Sequence, residues 1–176
     1  MVSQRAKRRQ ERLANISGHD LLLRMMNLQG HLAVWSQTLD GQSRRVAAGP
    51  FPFHASEAWL YVSALGSALR CIGLAQDLGA DIAVAQERFA GAVPEAKKVR
   101  DVLEHLEDYE LGVGDLQKPW DGSKTLGIMY QRAADTTGWR DTLHLQGVGL
   151  SLDFRATHEA VTALLSDSME ALGGWC

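Results

Sequence analysis

The stretch His19–Asp40, HDLLLRMMNLQGHLAVWSQTLD, decides the fold class. Its apolar residues Leu21, Met25, Leu28, Leu32, Trp35 and Leu39 fall at alternating steps of four and three. That spacing lines one face of an α-helix with a packing seam. Gly41 fits the stop of this helix, and the following RRVAAGPFPF holds Pro50 and Pro52 and reads as a loop. A second long helix is predicted from Ser56, a suitable N-cap, to Leu78. Trp59, Val62, Leu65, Leu69, Ile72 and Leu74 line it, and Gly79 suits the left-handed position just past its end. Its only charges are Glu57, Arg70 and Asp77, which makes it the expected central helix.

Working outward, a shorter helix is expected over Asp81–Phe89, broken by Gly91 and Pro94. Pro94 fits the first turn of the next helix, because the N–H it lacks has no partner there. That helix reads PEAKKVRDVLEHLEDYELG, with Val99, Val102, Leu103 and Leu106 on one face and Gly112 at the stop. The character then changes. GVGDLQKPWDGSK is turn chemistry, and TLGIMYQ and RDTLHLQ alternate with period two around AADTTGW, as two strands of a hairpin do. A last helix, Asp153–Leu172, carries Ala160, Leu164, Leu165, Met169 and Leu172. The expected fold is mainly α: one domain over residues 1–176, a helical bundle of four to five helices with a small β-hairpin before the last.

Composition agrees with a packed domain. Of 176 residues, 45% are hydrophobic and 22% charged, which excludes a disordered, collagen-like or disulfide-built chain. Eighteen basic against 21 acidic residues give a net charge of -3, so any nucleic-acid contact must be a local patch. The two cysteines, Cys71 and Cys176, form neither a disulfide framework nor a zinc pair, as expected of a reducing compartment. The start, MVSQRAKRRQER, is basic with no apolar region after it, unlike a secretory signal. With no run of 18 apolar residues, no membrane span is expected and a cytoplasmic location is.

Several chemistries lack their residues. No Glu has a His three residues later, as a di-iron carboxylate bundle requires. His158-Glu159 is followed by Thr162 where H-E-x-x-H needs its second His, and GSKT at Gly122–Thr125 lacks the P-loop spacing. No G-x-S-x-G occurs. His19, His31, His54, His144 and His158 show no ligand spacing, so no metal and no cofactor is expected.

The helix after Pro94 contains Arg100-Asp101-Val102-Leu103-Glu104-His105, an R-x4-H with a polar residue directly after the Arg. On an ideal helix, Arg100 and His105 lie about 140° apart with about 7.5 Å of rise. They flank a polar strip holding Asp101 and Glu104, backed by the Val99/Leu103/Leu106 stripe. Arg offers a fixed charge and a fork that fits phosphate, and a His near neutral pKa moves protons. The same residues also make two ordinary i,i+4 surface pairs, Arg100–Glu104 and Asp101–His105.

The motif and its setting resemble the HEPN superfamily of all-helical domains, many of them metal-independent ribonucleases of toxin–antitoxin, phage-defence and CRISPR systems. The resemblance covers the motif and its place on a late helix after a long buried one. It implies an endoribonuclease with Arg100 and His105 as catalytic residues, supported by Asp101 and Glu104, the former orienting the imidazole. It implies a homodimer in which two copies of this helix, and the seam Leu21–Leu39, meet around an RNA phosphate. An antitoxin or defence-complex protein is a further implied partner. Some members carry a Tyr two residues after the His that a partner nucleotidyltransferase antitoxin modifies; here Glu107 stands there, and Tyr109 is the nearest candidate. Arg5, Arg8, Arg9 and Arg12 in the basic segment 1–12 read as a solvated or frayed start, with RNA phosphate contact as the functional alternative. The other function class is a non-catalytic helical subunit that binds a partner protein, or an inactive HEPN-type scaffold.

Overall fold

A computed structural model describes residues 15–48, 54–106, 108, 126–135 and 138–173. Its elements run α1 (Gly18–Ala48), α2 (His54–Asp77), α3 (Ala83–Ala92), α4 (Ala96–Glu104), β1 (Gly127–Asp135), β2 (Gly138–Gln146), β3 (Leu150–Asp153) and α5 (Phe154–Gly173). The architecture is mainly helical with a small antiparallel sheet, as expected. The loop prolines Pro50 and Pro52, the stop Gly112 and the turn segment 112–124 lie outside the described residues.

Helix α1 starts on a capping box: Ser17 Oγ accepts from the Asp20 N–H at 3.1 Å and donates to the Asp20 carboxylate at 2.9 Å. Met25, Leu28, Leu32 and Leu39 of its seam are buried, with Leu21 and Trp35 packed at the edge. The expected stop at Gly41 is wrong, for α1 continues to Ala48 and buries Val46. The added turns are held from outside, because Arg132 on β1 donates to the Val46 carbonyl at 2.8 Å and the Ala47 carbonyl at 3.0 Å. Carbonyls in the last turn of a helix have no partner within it, so a guanidinium there ends the helix favourably.

Helix α2 lies between α1 and α4 and also touches α5. Tyr61, Leu65, Ala68, Ile72 and Ala75 are fully or almost fully buried along it. Over Ser56–Asp77 its hydropathy of 1.4 would suit a membrane span by length and composition, and half of that window is spent on the core. It closes as expected: Gly79 has φ 101°, Ala80 N–H reaches the Ala75 carbonyl and Gly79 N–H the Gln76 carbonyl, each at 3.0 Å. Pro94, expected inside the next helix, sits in the turn before it, and α4 begins at Ala96. Glu95 turns outward from that start and accepts from the Ser151 N–H at 2.7 Å, tying α4 to the sheet.

The two expected strands pair antiparallel, from Gly127 opposite Gln146 to Asp135 opposite Gly138. They extend well into AADTTGW, leaving a connection of residues 136–137, which fall outside the described set. The hairpin is also not alone. After a turn with Gly147 and Gly149 at positive φ, β3 joins β2, giving the order β1-β2-β3. Leu143, Leu145, Leu150 and Leu152 point from the sheet into one core with α1, α2 and α5. Asp153 then caps α5, its carboxylate accepting from the Ala156 N–H at 3.0 Å.

Candidate functional site

Helix α4 is short and strongly two-faced. Ala96, Val99, Val102 and Leu103 are buried, while Lys97, Lys98 and Glu104 are exposed. Helix α4 is interrupted after Glu104, where His105 caps it with φ −120° and ψ 36°; Leu106 and Asp108 beyond the break are again helical, and the expected stop at Gly112 lies outside the described residues. His105 therefore stands at the break in the helix. Its N–H bonds the Asp101 carbonyl at 3.2 Å, and its side chain is 66% exposed.

Arg100 points the other way, down onto α2, and only 14% of its side chain is exposed. Gly66 makes this approach feasible. A Cβ there would stand 2.9 Å from Arg100 Cδ and 2.6 Å from Glu104 Oε1. The guanidinium donates through Nε to the Asp101 carboxylate at 2.9 Å, and its Nη2 bonds the same oxygen. Glu104 Oε2 lies 3.8 Å from Arg100 Nε, the expected i,i+4 pair. The other Glu104 oxygen accepts from Arg70 Nη1, and Arg70 Nη2 donates to Ser67 Oγ at 3.0 Å. A continuous chain of polar groups, Ser67–Arg70–Glu104–Arg100–Asp101, thus joins α2 to α4.

The expected Asp101–His105 side-chain pair does not form. The Asp101 carboxylate is committed to Arg100, and it meets His105 only through its backbone carbonyl. Among the described residues the imidazole pairs with Asp108, whose Oδ2 lies 4.0 Å from Nδ1. His105 is the residue at which α4 breaks, and its imidazole lies on the side of Asp108 rather than of Asp101. Arg70 was not singled out from sequence. Its exposed place on α2 gave no signal in the sequence that it would meet Glu104 of another helix.

Tyr109, Arg5, Arg8, Arg9 and Arg12 lie outside the described residues. Of the seam Leu21–Leu39, Met25, Leu28, Leu32 and Leu39 are covered within the chain, while Leu21 and Trp35 are partly buried. Among the described residues no group of three or more His, Cys, Asp or Glu is placed to hold a metal ion.

A second polar cluster joins α1 and α5 at the edge of the core. His158 on α5 places Nε2 3.8 Å from Asp40 Oδ1 on α1, and its ring lies 6.2 Å from that of the fully buried Tyr61. Burial holds the His158 pKa below its ordinary value, opposed by Asp40 and Glu159 and assisted by Arg44. Burial likewise pushes the Tyr61 hydroxyl far up.

Compared with known proteins, the chain matches no family model, no curated protein and no solved structure.

Proposed function

We propose that this protein is a HEPN-like, metal-independent endoribonuclease of a toxin–antitoxin or phage-defence system, built as a helical bundle and acting as a homodimer. The observation that carries the reading is the placement of an open imidazole and a guanidinium on one short helix. His105 is exposed at the end of α4, and Arg100 sits five residues earlier in the chain, its stem laid against α2. RNA cleavage by such groups needs no cofactor. One His takes the 2′-OH proton as the 2′ oxygen attacks phosphorus. A second, from the partner copy, gives a proton to the departing 5′ oxygen, leaving a 2′,3′-cyclic phosphate and a 5′-OH. The arginines bind the phosphate and stabilise the dianionic transition state.

The test is cleavage of single-stranded RNA by the purified protein in EDTA. His105→Ala is expected to lose most of the activity while staying folded, and Arg100→Ala to weaken it as well. Cleavage that survives in the double variant overturns the assignment.

A specific observation favours a second reading, a non-catalytic helical subunit that binds a partner protein. Arg100 is almost covered and has two carboxylates beside it, which suits a clamp between α2 and α4. Wild-type protein that is soluble and dimeric, yet neither cleaves RNA nor arrests growth when expressed, supports this reading instead.

A further inference from the structure

We propose that Arg70 is a phosphate-binding residue of this site and that Glu104 is its internal latch, occupying the place an RNA phosphodiester takes. The choice of ligand rests on the ribonuclease reading; the latch rests on geometry. Arg70 on α2 and Arg100 on α4 converge from different elements on the single Glu104 carboxylate. Arg70 hydrogen-bonds this carboxylate, and Arg100, itself bonded to Asp101, adds a second positive charge 3.8 Å from it, a setting that suits the anionic oxygens of a phosphodiester.

Access fits the proposal. The Arg70 side chain is 55% exposed and that of Glu104 33%, so the anion position opens to solvent. Ion pairs this exposed contribute little to stability, so displacing the carboxylate costs the fold little. Gly66 supplies the floor. With no Cβ there, Glu104 and the Arg100 stem lie flat against α2, and the two arginines come within reach of one anion. The four charges Arg70, Arg100, Asp101 and Glu104 sum to zero, so the site carries no surplus for RNA while the latch is closed. Swinging Glu104 out leaves Arg70, Arg100 and Asp101 with a net positive charge near the end of α4, where His105 is exposed.

The experiment measures binding of a fluorescein-labelled single-stranded RNA by anisotropy in EDTA, with every protein in the His105→Ala background so that the RNA stays intact. Glu104→Gln is expected to bind about tenfold tighter, with a salt slope steeper by about one. Arg70→Met added to it is expected to abolish that gain. Arg70→Met alone removes an exposed side chain and is expected to weaken binding by about threefold. Melting curves check that each variant is folded. Binding by Glu104→Gln within about twofold of its parent overturns the latch, as does a gain that Arg70→Met leaves intact. Should Glu104→Gln fail to fold, unchanged binding by Arg70→Met alone overturns the proposal. Cleavage is assayed in parallel on the same substitutions with His105 restored. Cleavage without the binding changes removes the latch and keeps the ribonuclease; the binding changes without cleavage keep the anion site and remove the ribonuclease.

Discussion

Arg132 grips the buried Asp141 carboxylate through two bonds, Nε to Oδ1 at 2.6 Å and Nη2 to Oδ2 at 2.9 Å, while the same Nη2 caps the end of α1. One guanidinium therefore joins both strands of the hairpin to the first helix. Asp141 is 7% exposed, so removing either partner takes the counter-charge from the other in a poorly solvated place. Asp141→Ala and Arg132→Ala are each expected to cost roughly 3 kcal/mol. The double variant is expected to cost clearly less than their sum, read from urea unfolding as a double-mutant cycle. Additive losses would mean that the pair is not coupled.

Gly66 and Gly73 both lie within α2 but in different surroundings. A Cβ at Gly73 meets nothing within 4 Å, whereas one at Gly66 meets Arg100 and Glu104. Gly→Ala inside a helix gains about 1 kcal/mol from propensity alone. Gly73→Ala is expected to realise most of that gain. Gly66→Ala is expected to fall at least about 1 kcal/mol below it, because the Arg100 stem must shift. Equal stabilities from chemical unfolding would show that α4 does not rest on Gly66.

His158 makes stability depend on pH. Its pKa in the folded state is lowered, chiefly by burial, from an unfolded value of about 6.5. Below that value the unfolded chain binds the proton more readily, so the contribution is complete above about pH 6.5 and is lost as the pH falls. Wild type is expected to lose more stability than His158→Gln between about pH 7 and pH 5. Asp40→Asn is expected to steepen the loss, because Asp40 pulls the pKa upward. Parallel pH profiles for wild type and His158→Gln in urea melts would remove His158 from the account.

The proposed dimer must use surface that the fold leaves open. With Met25, Leu28, Leu32 and Leu39 inside the chain, the contact is expected on α4 and its neighbours. A two-fold pair burying at least about 1,200 Å² is expected to persist in dilute solution. Sedimentation giving a monomer at micromolar concentration would count against a site shared between two copies.

Periodicity was enough for the long elements. The 4–3 spacing of Leu21–Leu39 and the apolar run of α2 each demand a helix, because burying one face needs nothing beyond local geometry. Gly79 likewise marks a helix end, since only a residue free to take positive φ closes that turn without strain. The two strands were legible in the alternation of TLGIMYQ and RDTLHLQ, but β3 was not, for LSLD is too short to show a period. The R-x4-H at Arg100–His105 was legible as a pattern, and its geometry was not. Where α1 ends was decided by Arg132, 86 residues beyond Val46. That α4 ends at Glu104, that Asp101 holds Arg100 rather than His105, and that Arg70 enters the site from another helix were decided by packing. The Arg132 and Arg70 contacts depend on which charged groups meet across elements. A linear sequence carries the charges and their helical faces, but the partner of each is set only when the backbones close to within hydrogen-bond distance.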